Sequence, residues 1–239
     1  MSDAAVRLES LIGAEALTKL KNSCVLIVGV GGVGSFAAEA LARSFIGKMI
    51  LLDMDTVAES NLNRQLLATL DTIGMPKVEV MKQRIAKINP ECEVVALQEF
   101  YRKENETCFE GQVDFVVDAI DTLTSKMDLI ESCAERGIPF ISSLGMGNRL
   151  DPTKITITTL DKTSYDPLAK ALRTLVKKRG FKKKIPVLFS SEQPIRKTVI
   201  INEKGETRKE KLPPSSSAFV PSAAGLAAAS YVVRKLIEE

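Results

Sequence analysis

The glycine-rich segment Gly29–Gly34, with the sequence GVGGVG, constrains the fold of this chain more than any other feature. It follows an apolar run at Val25–Val28 that is typical of a buried strand, and it precedes a helical pattern at Ser35–Ser44. Glycines at this spacing let the main chain turn tightly and approach a phosphate, to which the amides of the helix N-terminus donate hydrogen bonds. Asp53 closes the next apolar run, Met49–Leu52, where a ribose-binding carboxylate is expected. The pattern predicts a Rossmann-type nucleotide fold, and the alternative is a glycine-rich turn that binds no ligand.

Strand and helix patterns alternate through residue 145, which predicts a Rossmann-like α/β fold with a mostly parallel sheet flanked by helices. The further strand patterns lie at Glu93–Leu97, Val113–Val117, Phe140–Ser143 and Ile155–Leu160, and the further helical patterns at Lys77–Ile88, Leu123–Arg136, Pro167–Arg179 and Ser222–Ile237. We expect a single domain over residues 1–239, with a nucleotide-binding core at 1–147. Residues 148–239 would extend the sheet and support substrate binding, with a crossover loop at 181–217. They are also expected to support dimerisation, and the Ala- and Gly-rich side of the last helix allows another element to approach closely.

Several classes of site are excluded by residue types that the chain lacks. Its 239 residues contain no histidine, so neither imidazole catalysis nor a histidine-bound metal is available. The four cysteines form no C-x-x-C pair, which argues against a structural zinc or a disulfide framework and favours a reducing cytoplasmic location. No stretch approaches the roughly 20 apolar residues of a membrane span, and the N-terminus lacks the apolar core of a signal peptide.

Charged residues after two of the predicted strands fit a nucleoside triphosphate better than NAD. Arg64, in SNLNRQ, and Lys77, in GMPK, follow the ribose-binding strand, and a triphosphate needs such cations to offset its charge. Asp118 and Asp121 follow the strand Val113–Val117, where a carboxylate can bind Mg²⁺ that is shared with phosphates. The alternatives are solvated surface cations and, for Asp121, a cap of the next helix.

A dense basic segment indicates a polyanionic partner. Residues 1–169 contain 17 Lys and Arg against 24 Asp and Glu, whereas residues 170–184 contain eight basic residues and no acidic one. Such a run beside a nucleotide site favours contact with a nucleic-acid backbone more than base stacking. The alternative is a solvated helix face. The candidate RNA-binding residues are Lys170, Arg173, Lys177, Lys178, Arg179, Lys182, Lys183 and Lys184.

The order of motifs over residues 7–147 resembles the ThiF, MoeB and ubiquitin-activating superfamily. The motifs are GVGGVGS, LLDMD, SNLNRQ, GMPK, INP and DAID, and their combination is far more specific than any one of them. The resemblance implies an ATP-using enzyme that activates a carboxylate by adenylating it. It also implies a homodimer in which Arg7 reaches the ATP of the partner subunit.

The resemblance further implies a role for single residues. The nucleotide would be held by Gly29, Gly31, Gly32, Gly34, Asp53, Asp55, Asn61, Arg64 and Lys77. Asp121 corresponds to the aspartate that holds Mg²⁺. Arg7, Arg64, Lys77 and Asp121 would act in catalysis. Thr122 departs from the family pattern, because an Asn usually follows the magnesium aspartate.

Further segments resemble the tRNA threonylcarbamoyladenosine dehydratase (TcdA, CsdL) branch of that superfamily. They are Leu150–Lys154, Lys162–Ala169, Phe189–Pro194 and Ser217–Gly225. Zinc-binding C-x-x-C pairs are absent, and residues 134–239 contain no cysteine that could form a thioester. The branch implies ATP-dependent cyclisation, a dehydration, of N6-threonylcarbamoyladenosine in tRNA through an adenylated carboxylate. A tethered nitrogen would attack that adenylate, so no covalent enzyme nucleophile is needed.

Two other functions stay open at this point. An adenylyltransferase for a ubiquitin-like sulfur-carrier protein would use the same nucleotide site but would not need the basic segment. An NAD-dependent oxidoreductase would use the glycine loop, although Arg64, Lys77 and Asp121 count against it. The sequence also leaves open a monovalent cation and a sulfur-transfer protein partner.

Overall fold

The computed structural model describes residues 3–104, 106–195 and 214–238. Its strands are β1 (Cys24–Val28), β2 (Lys48–Leu52), β3 (Glu93–Leu97), β4 (Phe115–Asp118), β5 (Phe140–Ser143), β6 (Ile155–Thr159) and β7 (Pro186–Ser190). They form one sheet in the order β3-β2-β1-β4-β5-β7-β6, in which only the β6–β7 pair is antiparallel. The chain order reverses between β1 and β4, and ligands of such sheets bind at the carboxyl ends of the strands beside this point.

Helices cover both faces of the sheet. They are α1 (Val6–Ile12), α2 (Ala14–Asn22), α3 (Gly34–Arg43), α4 (Lys77–Ala86), α5 (Leu123–Arg136), α6 (Pro167–Arg179) and α7 (Phe219–Glu238). One face packs against α1–α4 and α7, and the other packs against α5 and α6. None of these helices is long and apolar enough to cross a membrane. The Rossmann-like, mostly parallel fold with a C-terminal extension of the sheet is therefore confirmed.

The small-residue side of α7 packs inside the chain. Ala224, Gly225, Ala228 and Ala229 are buried in the same apolar cluster as α3. A Cβ atom at Gly225 would overlap the carbonyl oxygen of Val33, so the two helices approach as closely as their backbones allow. The close approach that this composition allows is therefore made by α3 of the same chain.

Some boundaries differ from those expected. The segment 181–217, expected to be a crossover loop, contains the strand β7, whose apolar residues are buried between β5 and β6. Residues 196–213 of the predicted loop lie outside the described residues. The last helix begins at Phe219 rather than Ser222, and β4 begins at Phe115 rather than Val113. The strand β3, the helix α5 and the helix α6 have the predicted bounds.

Candidate active site

The glycine loop connects β1 to α3 at the carboxyl edge of the sheet. Gly29 has a φ of +91°, and a Cβ atom there would lie 2.7 Å from the carbonyl oxygen of Ala119 in the β4–α5 loop. A Cβ atom at Gly34 would overlap the carbonyl oxygen of Gly29. Because both positions exclude a side chain, the loop stays thin enough for a phosphate to approach its amides.

The carboxylate of Asp53 is fixed beside this loop. It accepts hydrogen bonds from the backbone N–H groups of Val30, at 2.7 Å, and of Asp55, at 2.9 Å. These bonds use one lone pair on each oxygen, so each oxygen retains acceptor capacity for a hydroxyl group. Asp53 thus joins the end of β2 to the glycine loop in the position of a ribose-binding residue.

Lys77 and Asp55 form an ion pair at the next edge of the site. The Nζ of Lys77 lies 2.7 Å from Oδ2 of Asp55, and the lysine side chain is only 6% exposed while that of Asp55 is 56% exposed. Arg64 is half-buried, and its Nη1 donates to the carbonyl oxygen of Ser60 and to Oδ1 of Asn63. Both cations are thus anchored by contacts with residues of the segment between β2 and α4.

Asn61 and Gln65 frame the same loop, and Gln65 is a residue that the sequence reasoning missed. The Oδ1 of Asn61 accepts from the backbone N–H of Ala58, which leaves the Nδ2 hydrogens for another acceptor. Gln65 is buried, and among the described residues its Oε1 is the only buried side-chain oxygen or nitrogen atom without a hydrogen-bond partner. Its Nε2 lies 3.7 Å from the position of a Cβ atom on Gly31. An orphaned buried amide oxygen beside a phosphate loop marks it as a ligand-contacting group. Its place in SNLNRQ was the available signal.

The two aspartates after β4 take different roles. Asp118 is fully buried, and its Oδ2 lies 2.7 Å from the Nζ of Lys126 and 2.6 Å from the Oγ of Ser142. Asp121 is exposed and makes no hydrogen bond or ion pair with another described residue. Thr122 is the N-cap residue of α5 and makes no side-chain capping bond. Asp121 therefore does not cap the helix, and its exposed carboxylate has no counter-charge among the described residues.

Most of the basic segment lies far from the nucleotide loops. The helix α6 begins at the carboxyl edge, where the carboxylate of Asp166 lies 3.3 Å from the position of a Cβ atom on Gly145. It then runs about 20 Å toward the opposite edge, at which β7 begins with Pro186. The basic run therefore begins near the carboxyl edge of the sheet and continues away from the nucleotide loops. Only Lys170 lies in the first turn of α6.

Three of the eight cations are engaged inside the chain. Arg173 is half-buried, and its Nη1 donates to the carbonyl oxygens of Leu160 and Thr163 and to the Oγ1 of Thr163. Arg179 pairs with two carboxylates of α5, Asp128 at 2.5 Å and Glu131 at 2.7 Å. Lys183 donates to the carbonyl oxygen of Ala134 at the end of the same helix. The run therefore does have counter-charges, which are supplied by another helix. The remaining exposed cations are Lys170, Lys177, Lys178, Lys182 and Lys184.

Arg7 is not brought to the nucleotide loops by a contact within the chain. It lies on α1 and is exposed, and its side chain makes no hydrogen bond or ion pair with another described residue.

Comparison with known proteins places the chain in a family. The chain matches the ThiF family over residues 4–237. This chain belongs to the ThiF family. The ThiF-family chain is 52% identical to the tRNA threonylcarbamoyladenosine dehydratase of Bacillus subtilis, with 98% of this chain and 94% of that protein aligned. It is 41% identical to dehydratase 2 of Saccharomyces cerevisiae over 77% of this chain and 42% of the yeast protein.

The same family relationship extends to solved structures. The crystal structure of the E. coli dehydratase TcdA in complex with ATP aligns with a TM-score of 0.88 and 35% identity, covering 99% of this ThiF-family chain and 96% of that chain. The same enzyme has also been solved with AMP. The glycine loop, the fixed carboxylate and the anchored cations thus occur on a fold that is shared with an enzyme solved in complex with ATP.

Proposed function

We propose that this ThiF-family chain is an ATP-dependent tRNA threonylcarbamoyladenosine dehydratase. The observation that carries the proposal is the 52% identity to a dehydratase that is matched over 94% of its length. The carboxylate of the threonylcarbamoyl group attacks the α-phosphorus of ATP, and pyrophosphate leaves. A nitrogen of the same group then attacks the acyl carbon, AMP leaves, and the group closes into a ring. The nucleoside loses one water overall.

The nucleotide side of this reaction is supported by charge placement. Asp53 binds the ribose hydroxyls, and the amides of Gly29–Gly34 approach the phosphates together with Asn61 and Gln65. Lys77 and Arg64 offset the charge that moves to pyrophosphate, and such fixed charges act strongly because they need no reorganisation. Asp55 holds Lys77 near the site until the phosphates compete for the ammonium.

Mg²⁺ fits one position in this site. Magnesium prefers oxygen ligands and is commonly bound by one or two carboxylates together with substrate phosphates. Asp121 offers such a carboxylate, for which the described residues supply no partner, and it follows the loop residue Ala119 that approaches Gly29. Within the described part of the chain, no group of three acidic or cysteine side chains forms a complete metal site, so the phosphates would supply the other ligands. A bound magnesium ion would neutralise charge on the phosphates. The steps above require neither a monovalent cation nor a sulfur-transfer protein.

The chemistry proceeds without a cysteine nucleophile. Cys24, Cys108 and Cys133 are buried, and burial raises the pKa of Cys24 to about 11 and of Cys108 to about 12. Burial also raises the pKa of Cys92 to about 12 and that of Cys133 further still. All four thiols are thus protonated near neutral pH, and a thiol in this form is a weak nucleophile. The tethered nitrogen of the substrate makes an enzyme nucleophile unnecessary.

tRNA binding is supported by the exposed lysines. Lys170 lies at the start of α6, and Lys177, Lys178, Lys182 and Lys184 follow toward the other edge of the sheet. Exposed cations of this kind contact backbone phosphates without reading sequence. We further propose a cytoplasmic homodimer in which Arg7 acts on the ATP of the other subunit.

Nucleoside mass spectrometry tests the proposal. tRNA that carries threonylcarbamoyladenosine is incubated with the protein, ATP and Mg²⁺, then digested and analysed. We expect the nucleoside to lose the mass of one water only when ATP is present, and the Lys77→Ala variant to leave it unchanged. An unchanged nucleoside together with adenylation of a sulfur-carrier C-terminus would favour the adenylyltransferase function instead.

A further inference from the structure

Tyr165 has a backbone conformation that tyrosine rarely adopts. Its φ is +54°, in the left-handed region, where a bulky side chain is strained. Two other non-glycine residues of the described chain have a positive φ, Phe45 and Asn148. Phe45 is half-buried in the turn after α3, and asparagine tolerates this region. Of the three residues, Tyr165 thus combines a strained backbone with an exposed, bulky side chain.

The packing of Tyr165 does not account for its strain. The residue is 60% exposed, and its hydroxyl group makes no hydrogen bond with another described residue. In contrast, the side chains of Thr163 and Asp166, on either side of it in the chain, are held by hydrogen bonds. The Oγ1 of Thr163 donates to the carbonyl oxygen of Leu160, and the carboxylate of Asp166 accepts from the N–H of Ala169 and from Arg149. The chain therefore holds a large aromatic ring in solvent at a cost in stability, and strain of this kind is concentrated at functional sites.

The location of Tyr165 places it on the substrate side of the site. The adjacent Asp166 reaches Gly145, which follows β5 at the carboxyl edge of the sheet. The groups assigned to ATP follow β1, β2 and β4, so they occupy the other half of this edge. The edge beside β5 is left for the second substrate. Lys170 is exposed one turn further along α6, where its N–H donates to the carbonyl oxygen of Asp166.

We propose that Tyr165 stacks on an unpaired base of the tRNA substrate beside the carboxylate that is adenylated. The inference rests on the proposed dehydratase function and adds a base-contacting residue to it. Proteins recognise single-stranded RNA loops by stacking bases on exposed aromatic rings, with cations next to them for the phosphates. Tyr165 with Lys170 supplies this pair of groups at the edge where the substrate must enter. The strained backbone fixes the direction of the ring before the RNA binds, which reduces the ordering cost of binding.

Two substitutions separate stacking from a structural role. Tyr165→Gly removes the ring and relieves the left-handed strain, so we expect an unchanged or higher melting temperature. The KM for tRNA should rise about 5- to 150-fold, the range that corresponds to the loss of one stacked base, and the KM for ATP should stay constant. Tyr165→Phe retains the ring and should stay within about twofold of the wild type. A Tyr165→Gly variant with wild-type KM for tRNA would overturn the inference and leave the dehydratase function standing.

A fluorescence experiment tests the contact without relying on turnover. The chain contains no tryptophan, so Tyr165→Trp introduces a single reporter. We expect its emission to be quenched by tRNA and not by ATP alone, with free N-acetyltryptophanamide as the control for absorption by the RNA. Unchanged emission at a tRNA concentration that saturates binding by gel shift would overturn the inference. If tRNA quenches Tyr165→Trp but the wild-type protein leaves the nucleoside mass unchanged, the result would support the contact and contradict the dehydratase function.

Discussion

The ammonium nitrogen of Lys126 lies 2.7 Å from Oδ2 of Asp118, and neither side chain is more than 1% exposed. Ser142 donates to the same carboxylate oxygen, and the N–H of Ile120 donates to the other. Asp118 ends β4, Lys126 lies on α5 and Ser142 lies on β5, so one carboxylate joins three elements beneath the nucleotide site. This arrangement fixes the loop that presents Asp121.

Removing one partner of this pair should strongly destabilise the fold. We expect Lys126→Met to lower the free energy of unfolding by about 3–5 kcal/mol, because it leaves a buried carboxylate without its counter-charge. Urea denaturation measures this loss. The double variant Lys126→Met with Asp118→Asn should recover part of it, whereas Lys103→Met, which breaks an exposed pair with Glu135, should cost less than about 1 kcal/mol. A Lys126→Met variant as stable as the wild type would show that the pair contributes nothing to folding.

The charged residues at the phosphates should be needed for adenylation. We expect Lys77→Ala, Arg64→Ala and Asp121→Ala each to reduce ATP–pyrophosphate exchange with substrate tRNA by about 100-fold or more, since each stabilises charge that shifts in the reaction. Lys48→Ala is the matched control, because Lys48 begins β2 at the opposite edge of the sheet. Normal exchange in one of the three variants would remove that residue from the site.

The cysteines should be dispensable for catalysis. A variant with all four cysteines replaced by alanine should retain cyclisation activity, measured per folded protein, and should be less stable because Cys24, Cys108 and Cys133 are buried. The raised pKa values keep the thiols protonated below pH 9, so the pH profile of kcat/KM from pH 6 to 9 should be the same in both proteins. Loss of activity in one stable single-cysteine variant would contradict the thioester-free mechanism.

Arg7 should complement a defective site from another subunit. Arg7→Ala and Lys77→Ala homodimers should both be inactive, whereas mixed dimers should contain one intact site if each site draws Arg7 from the partner. Activity measured on purified, doubly tagged heterodimers checks this, with the unmixed variants as controls. Heterodimers without activity would argue that Arg7 acts in its own subunit or has no role.

The exposed lysines should contribute to the salt dependence of tRNA binding. Replacing Lys170, Lys177, Lys178, Lys182 and Lys184 with glutamine should weaken the binding of all tRNAs and flatten the slope of log affinity against log salt by about 0.7–0.9 per lost contact. ATP affinity should be nearly constant. The matched control is Lys183→Gln, since Lys183 donates to Ala134 within the chain. An unchanged slope in the fivefold variant would identify these lysines as a solvated face.

Local sequence determined the parts of this protein that depend on neighbouring residues. The apolar runs and helical periods predicted β3, α5 and α6 with their observed bounds, because the periodicity of apolar residues indicates which positions of a strand or helix are buried. The glycine loop and Asp53 were also predictable, since the positive φ of Gly29 and the close approach of Gly34 to the carbonyl oxygen of Gly29 are requirements of the turn itself. Arg64, Lys77 and Asp121 were expected from their charge and their positions after predicted strands, and the family resemblance added Asn61 and Arg7.

Tertiary structure decided the features that depend on which elements meet. No local pattern encodes the pairing of Asp118 with Lys126 and Ser142. The same holds for the carboxylates of α5 that pair with Arg179 and for the close packing of α7 on α3. The direction of α6 placed most of the basic residues away from the nucleotide loops, although they follow one another closely in sequence. The left-handed φ of Tyr165 is likewise visible only in the folded chain. Burial and chain direction are properties of the assembled sheet, so only the folded chain reveals which charges are paired and which remain for a ligand.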